Sequence, residues 1–278
     1  MRVRRGAGGR VGRLGAELTT DARLATGVCL TSAVCAAACG APRAVRDSRR
    51  SLAAPGLAGV ATTNGRNASM IYAARLDAGV IVVDLGWSGA ARALDAALAR
   101  AGAERGDVAA VLLTHSHRDH VGAWRAVAHA PFYAGVAEVP RLFGERPHRA
   151  WVPRVADWLR APALPARGRV RVVAVALDTA LAFGRDTVWA FPVPGHTAGS
   201  VAYLVRGVLF VGDAASATAA GARLRPPRAI YTDDGAAARR SLARLRAATA
   251  GRDVRLVCTA HARCAPATPA LWRALGAG

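Results

Sequence analysis

Residues 108–120, VAAVLLTHSHRDH, decide how the rest of this chain is read. Val108 to Leu113 is an apolar run of strand length, which reads as a buried strand. It leads directly into Thr114-His115-Ser116-His117-Arg118-Asp119-His120. A loop at the end of a buried strand can turn His115, His117, Asp119 and His120 toward one point. Imidazole and carboxylate together suit a borderline divalent cation such as zinc. Four candidate ligands in six residues are more than one tetrahedral ion easily takes from one loop, so a second ion is expected. Without metal these groups would lie against a core edge with no evident partners, at a cost in desolvation.

Working outward, residues 57–63 and 69–76 read as strands joined across Asn64-Gly65, a strong hairpin pair. Residues 80–83 form a buried strand ending at Asp84. Residues 90–101 have helical apolar spacing and stop before Gly102. Beyond the histidine loop come a strand at 131–134, a short helix at 136–143 and a loop with a helical turn at 144–168. Strands follow at 169–177, 187–193, 201–205 and 208–212. An Arg-faced helix covers 235–249, a strand at 254–259 leads to His261, and a short helix lies near 269–276. Strands alternate with helices, but antiparallel hairpins are mixed in. The expected class is therefore α/β of the α+β type, two mixed sheets with helices outside, in one domain from 56 to 278.

His115-Ser116-His117-Arg118-Asp119-His120 resembles the H-x-H-x-D-H signature of the metallo-β-lactamase-fold superfamily. Further marks follow in family order: Asp84 after its strand, Gly195-His196-Thr197-Ala198-Gly199-Ser200, Gly212-Asp213, and His261. Five of the seven histidines fall on these positions, leaving His129 and His148. The resemblance covers residues 56 to 265. It implies a four-layer αββα sandwich with two divalent metal ions between the sheets at one end, zinc first and iron or manganese as alternatives. One ion would take His115, His117 and His196. The other would take Asp119, His120 and His261, with Asp213 and a water or hydroxide between them. Asp84 is not a ligand in this reading but steadies one; Thr197 and Ser200 either do similar work or cap their turn. The implied reaction is hydrolysis, with Asp119 also orienting the nucleophile and passing a proton to the leaving group.

The net charge is +20, yet every basic residue is Arg and none is Lys. With so much Ala and Gly, this composition looks like codon bias, and a nucleic-acid partner is not expected. Residues 1–23 carry six Arg, residues 24–42 carry no charge, and small residues surround Cys39. This is the layout of an export signal, with Cys39 as a candidate lipidated residue and membrane attachment point; the alternative is an extension on a cytoplasmic enzyme. Residues 1–55 are thus set apart as signal-like or unstructured extension and linker. Cys258 and Cys264 flank His261 and are read as small core residues in preference to a disulfide.

Three features narrow the substrate. The position of Asp213 is typically Cys or Ser in zinc β-lactamases, which weakens β-lactam hydrolysis. Seventeen residues follow His261, where glyoxalase II enzymes carry a further helical domain, and this weakens a glutathione thioester role. No β-CASP-type insertion separates the motifs, which weakens a nuclease. A small-molecule ester, lactone or thioester is the expected substrate. The alternatives are a β-lactam, a phosphodiester, or a mono-iron, persulfide-dioxygenase-like oxidation. Trp124 and Tyr231 are candidate pocket residues, whereas Trp124, Trp151 and Trp158 are each expected to pack on outer helices before forming a lid.

Overall fold

The protein is described by a computed structural model over residues 56–273, except 64–66, 177, 218–222 and 263. The extension at 1–55, with Cys39, and the Asn64-Gly65 turn lie outside the described residues. None of the described helices is long and apolar enough to cross a membrane.

Six strands form the first sheet in sequence order: β1 (Leu57–Thr63), β2 (Ala68–Leu76), β3 (Gly79–Val83), β4 (Val108–Leu112), β5 (Phe132–Gly135) and β6 (Val172–Val175). The pairs β1–β2 and β2–β3 are antiparallel, and β3–β4, β4–β5 and β5–β6 parallel. The second sheet contains β7 (Thr179–Phe183), β8 (Asp186–Pro192), β9 (Val201–Val205) and β10 (Val208–Gly212). After a short ribbon of β11 (Ser216–Ala217) and β12 (Leu224–Arg225), it adds β13 (Leu256–Thr259) and β14 (Ala265–Pro266). Its order is β14-β13-β10-β9-β8-β7, with only β10–β13 parallel.

Residue alternation along these strands creates three apolar layers. Ile81 and Val83 of β3, and Tyr203 of β9 with Phe210 of β10, meet in the layer between the sheets. Val80 and Val82 face the other way, onto Leu94 and Leu98 of helix α1 (Ala91–Arg100). On the second sheet Ala202, Leu204, Leu209 and Val211 turn outward, onto a layer shared with Leu242 and Leu245. Two further helices, α2 (Val139–Leu142) and α3 (Trp151–Leu159), precede that sheet; α4 (Gly235–Thr249) lies between β12 and β13, and α5 (Pro269–Arg273) follows β14. Leu242 and Leu245 belong to α4, whose buried positions recur at helical spacing and whose Asp234 caps Ala237 N at 2.8 Å. The result is the four-layer αββα sandwich.

Three sequence expectations are corrected. Residues 144–168 contain the nine-residue helix α3, masked in the sequence by Pro153, which falls in the first turn where no amide donor is needed. The stretch before β8 holds two strands, β6 and β7, because β7 turns back in a tight hairpin with Phe183 opposite Asp186. Cys258 and Cys264 form a disulfide across the turn that carries His261; the antiparallel β13–β14 pairing brings them together.

The sheets are stitched at one end. Val201 N donates to Thr114 O at 2.8 Å and Met70 N to Ala260 O at 2.8 Å. Gly135 ends β5 against Gly199, and a Cβ added there would lie 1.9 Å from Gly199 O. Gly135→Ala should therefore destabilise the protein by about 1–3 kcal/mol, read as a lowered thermal unfolding midpoint. An unchanged midpoint would contradict this close approach.

Candidate metal centre

The carboxyl ends of β3, β4, β8, β10 and β13 lie at this stitched end and release Asp84, the 114–120 loop, the 193–200 loop, Asp213 and His261. Each loop has a local reason for its path. Gly195 sits at φ 144°, and a Cβ there would meet Ala238 N at 2.2 Å, so only glycine lets the His196 loop lie on α4. Asp233 N donates to His196 O at 3.0 Å, Asp234 N to Gly195 O at 2.9 Å and Ser241 Oγ to Pro194 O at 2.7 Å. Thr197 and Ser200 bond each other, 2.8 Å between hydroxyls, and Ser200 Oγ accepts Thr197 N at 3.1 Å. Their hydroxyls thus shape the turn.

Four imidazoles are anchored through Nδ1. His120 Nδ1 meets Asp84 Oδ2 at 2.8 Å, His115 Nδ1 meets Thr114 Oγ1 at 3.1 Å, His196 Nδ1 meets Thr232 Oγ1 at 3.3 Å, and His261 Nδ1 meets Ala68 O. Such anchoring fixes ring orientation and leaves Nε2 for the centre. His117 is reversed, its Nδ1 lying 3.1 Å from His196 Nε2. His115 Nε2, His117 Nε2 and His120 Nε2 are buried without a hydrogen-bond partner in the structure. Buried orphan nitrogens are costly unless an ion meets them.

Candidate ligand atoms gather in three overlapping groups, each within 4.8 Å: His115 with His117 and His196; His115 with His120 and Asp213; Asp119 with His120 and His261. Asp213 Oδ2 lies 2.8 Å from His261 Nε2, 3.6 Å from His196 Nε2 and 3.8 Å from His120 Nε2. Asp119 Oδ2 lies 3.5 Å from both His120 Nε2 and His261 Nε2. This set of imidazoles and carboxylates fits divalent metal ions.

Burial holds His115 and His117 well below the ordinary imidazole range, reinforced by neighbouring histidines. Burial also lowers His196, against the pull of Asp213. These three rings are neutral at pH 7 with lone pairs to offer. Burial acts the same way on His120 and His261, but carboxylates outweigh it. Asp119 and Asp84 raise His120 well above its usual range, and Asp213 raises His261 to about 9. Burial opposes ionisation of Asp119 and Asp213, yet the facing histidines keep both below the usual carboxylate range.

Several supporting residues had no motif to announce them. Glu138 is fully buried and accepts from Ser116 N at 2.8 Å, Gly199 N at 2.8 Å and Ser116 Oγ. His148, one of the two histidines left over in the sequence, joins Ser116 Oγ at 2.9 Å to Asp157 Oδ2 at 2.7 Å. A single acid in the apolar stretch YAGVAEVP was the available signal for Glu138.

A pocket of ≈ 330 Å³ opens on the site, lined by His117, Asp119, His196, Asp213 and His261 together with Trp87, Arg228 and Tyr231. Trp124 is placed elsewhere: it packs against the α1 layer, with Arg125 over its ring at 4.5 Å. Trp87 and Arg228 were not foreseen.

Comparison with known proteins agrees with this geometry. The family model described as the metallo-beta-lactamase superfamily matches residues 64–261. A hydroxyacylglutathione hydrolase of Shewanella oneidensis is 32% identical over 112 residues, covering 38% of this chain; the chain spans only 34% of that enzyme's length. A Cronobacter sakazakii metallo-beta-lactamase with a HARLDQ motif superposes with TM-score 0.55 at 20% identity, covering 74% of this chain and 77% of that one. A metallo-beta-lactamase family protein of Thermus thermophilus gives TM-score 0.54 at 23% identity, covering 77% and 75%. At these identities the structural likeness speaks for the fold.

The carboxylates of Asp119, Asp84 and Asp213 favour protons on His120 and His261. Metal uptake must displace them, so it should release about two protons at pH 7. Because His261 holds its proton below about pH 9, apparent zinc affinity should weaken steadily as pH falls from 9 toward 6. Calorimetry in buffers of differing ionisation enthalpy reads the proton count; pH-independent affinity with no proton release would contradict this electrostatic picture.

Proposed function

The chain belongs to the metallo-β-lactamase superfamily; on that premise we propose that it is a metallo-hydrolase that holds two divalent ions, zinc in the first instance, and hydrolyses a small thioester, ester or lactone. The observation that carries the binuclear reading is the position of Asp213 Oδ2, within 2.8–3.8 Å of His261, His196 and His120. In this reading His115, His117 and His196 would hold one ion and Asp119, His120 and His261 the other, with Asp213 available to either. The match to a hydroxyacylglutathione hydrolase favours the thioester among the three substrate types.

Bound ions would lower the pKa of water enough to give hydroxide at neutral pH and would polarise the substrate carbonyl. The chain's own side chains do the rest. Asp84 fixes the His120 ring and, through Thr114 N at 2.8 Å, the start of its loop. Asp119, held ionised among histidines, accepts the proton of the attacking water and returns it to the leaving group. Its backbone is pinned by Ser69 Oγ, which donates to Asp119 O at 2.7 Å. Trp87 and Tyr231 give the pocket apolar walls for an acyl group, and Arg228 adds a cation that favours a substrate bearing a negative group.

We also infer that residues 1–55 direct export. The Cys258–Cys264 disulfide supports this, since such bonds persist in oxidising compartments. Mass spectrometry of the cell-derived protein should show a shortened amino terminus, and an intact Met1 would overturn the inference.

The functional test is a panel of chromogenic thioesters, esters, lactones, phosphodiesters and β-lactams with zinc, manganese and iron forms. Two zinc ions per chain and turnover of an acyl substrate are expected; one iron with oxygen consumption would overturn the hydrolytic assignment. Asp119→Asn should keep much of its metal while kcat falls by about 100-fold or more. Full turnover in that variant would remove the proposed proton role.

A further inference from the structure

Six arginines dispersed between positions 118 and 160 come together around one groove. Arg118, Arg141, Arg146, Arg149, Arg154 and Arg160 line a cavity of ≈ 730 Å³ that shares no lining residue with the metal pocket. Asp157 is the single carboxylate among its lining residues, and it is engaged by His148 Nδ1 at 2.7 Å and His148 N at 3.0 Å. Arg141 is also committed, to Glu138 at 3.4 Å and Asp233 at 2.9 Å. Arg118 Nη2 donates to Ala161 O at 2.6 Å, but its buried Nε has no partner. Arg146, Arg149, Arg154 and Arg160 form no ion pair among the described residues. Like charges gathered in a concavity repel one another, and an anion is the ligand that relieves this.

The same groove carries two aromatic faces. Trp151 and Trp158 are two turns apart on α3 and so project from one side of it. They are 74% and 83% exposed, in contrast to the packed tryptophans the sequence suggested. Large aromatic surfaces left in water beside unpaired guanidinium groups are the two parts of a site for phosphates joined to a planar ring. Arginine forks grip phosphate oxygens in pairs, and a base stacks on indole. A cavity of this volume suits a small molecule, whereas docking to a lipid surface calls for a protruding face.

We propose that this groove binds a nucleoside polyphosphate, its phosphates on the arginines and its base against Trp151 or Trp158. The site is connected to the catalytic end through its wall. Arg149 N and Ala150 N both donate to Asp233 Oδ1 at 2.8 Å, and Asp233 N holds His196 O.

Tryptophan fluorescence and calorimetric titration of the metal-loaded full chain with ADP test the assignment. Saturable quenching is expected, with adenosine and inorganic phosphate each binding at least about tenfold more weakly than ADP. Arg154→Glu with Arg160→Glu should weaken ADP about tenfold or more, and Trp158→Ala about fivefold, while hydrolysis of the best panel substrate stays unchanged. The proposal is overturned if ADP does not saturate at millimolar concentration, or if the variants bind it as the parent does, which would place it on the metals. It is equally overturned if a single-stranded oligothymidylate binds far more tightly than ADP, marking a nucleic-acid groove. Anionic phosphatidylglycerol vesicles that bind here unopposed by ADP would also overturn it.

Discussion

The Asp84 carboxylate ties the end of one strand to the working loop of the next. Its Oδ1 accepts Thr114 N at 2.8 Å, while Oδ2 accepts Thr114 Oγ1 at 2.7 Å and faces His120 Nδ1 at 2.8 Å. Its own amide donates to Leu112 O at 3.1 Å. To do all this its backbone adopts φ 56°, a left-handed conformation that costs a non-glycine residue energy. A carboxylate only 3% exposed would be strongly destabilising if left alone. Three charge-assisted contacts offset that cost and at the same time determine where four candidate ligands point.

Glu138 performs the matching task for the opposite sheet. Its two oxygens hold Ser116 N and Gly199 N, each at 2.8 Å, and so bind the loop after β4 to the loop after β8. Those loops carry His117 and His196, whose facing nitrogens are 3.1 Å apart. Strand packing alone could not hold that separation, because the loops begin in different sheets. Two buried carboxyl groups therefore define the site from behind, each satisfied by hydrogen bonds before any metal is considered.

Much of this was legible because the chemistry is local in sequence. His115 through His120 share one loop, and Asp84, Asp213 and His261 each follow an apolar strand by one or two residues, so strand order placed them. Helix α4 was legible from its amphipathic spacing, to which the structure adds the Asp234 cap. Glu138 and His148 were not, since each acts on a partner more than twenty residues away and belongs to no motif. The arginine groove was illegible too. Its members come from several chain segments whose convergence depends on α3, and Pro153 with its Trp- and Arg-rich setting obscured that helix. The disulfide needed the β13–β14 register, which sequence spacing alone does not supply.

Burial is graded across the centre, and this gradient sets the direction of approach. His115, His120 and His196 are almost fully enclosed, and His117 is 8% exposed, whereas the His261 side chain is 37% exposed. The enclosed His115 and His117 are neutral for want of solvation, and the exposed His261 keeps a proton because Asp213 faces it. A substrate would therefore arrive from the side where charge is tolerated, through the pocket that Asp213, His261, Arg228 and Tyr231 line. The dry side cannot accommodate it, for there Thr114, Glu138 and Asp84 already use the space and the hydrogen bonds. The same packing that makes the ligands rigid leaves one open face, and that face is where the chemistry can take place.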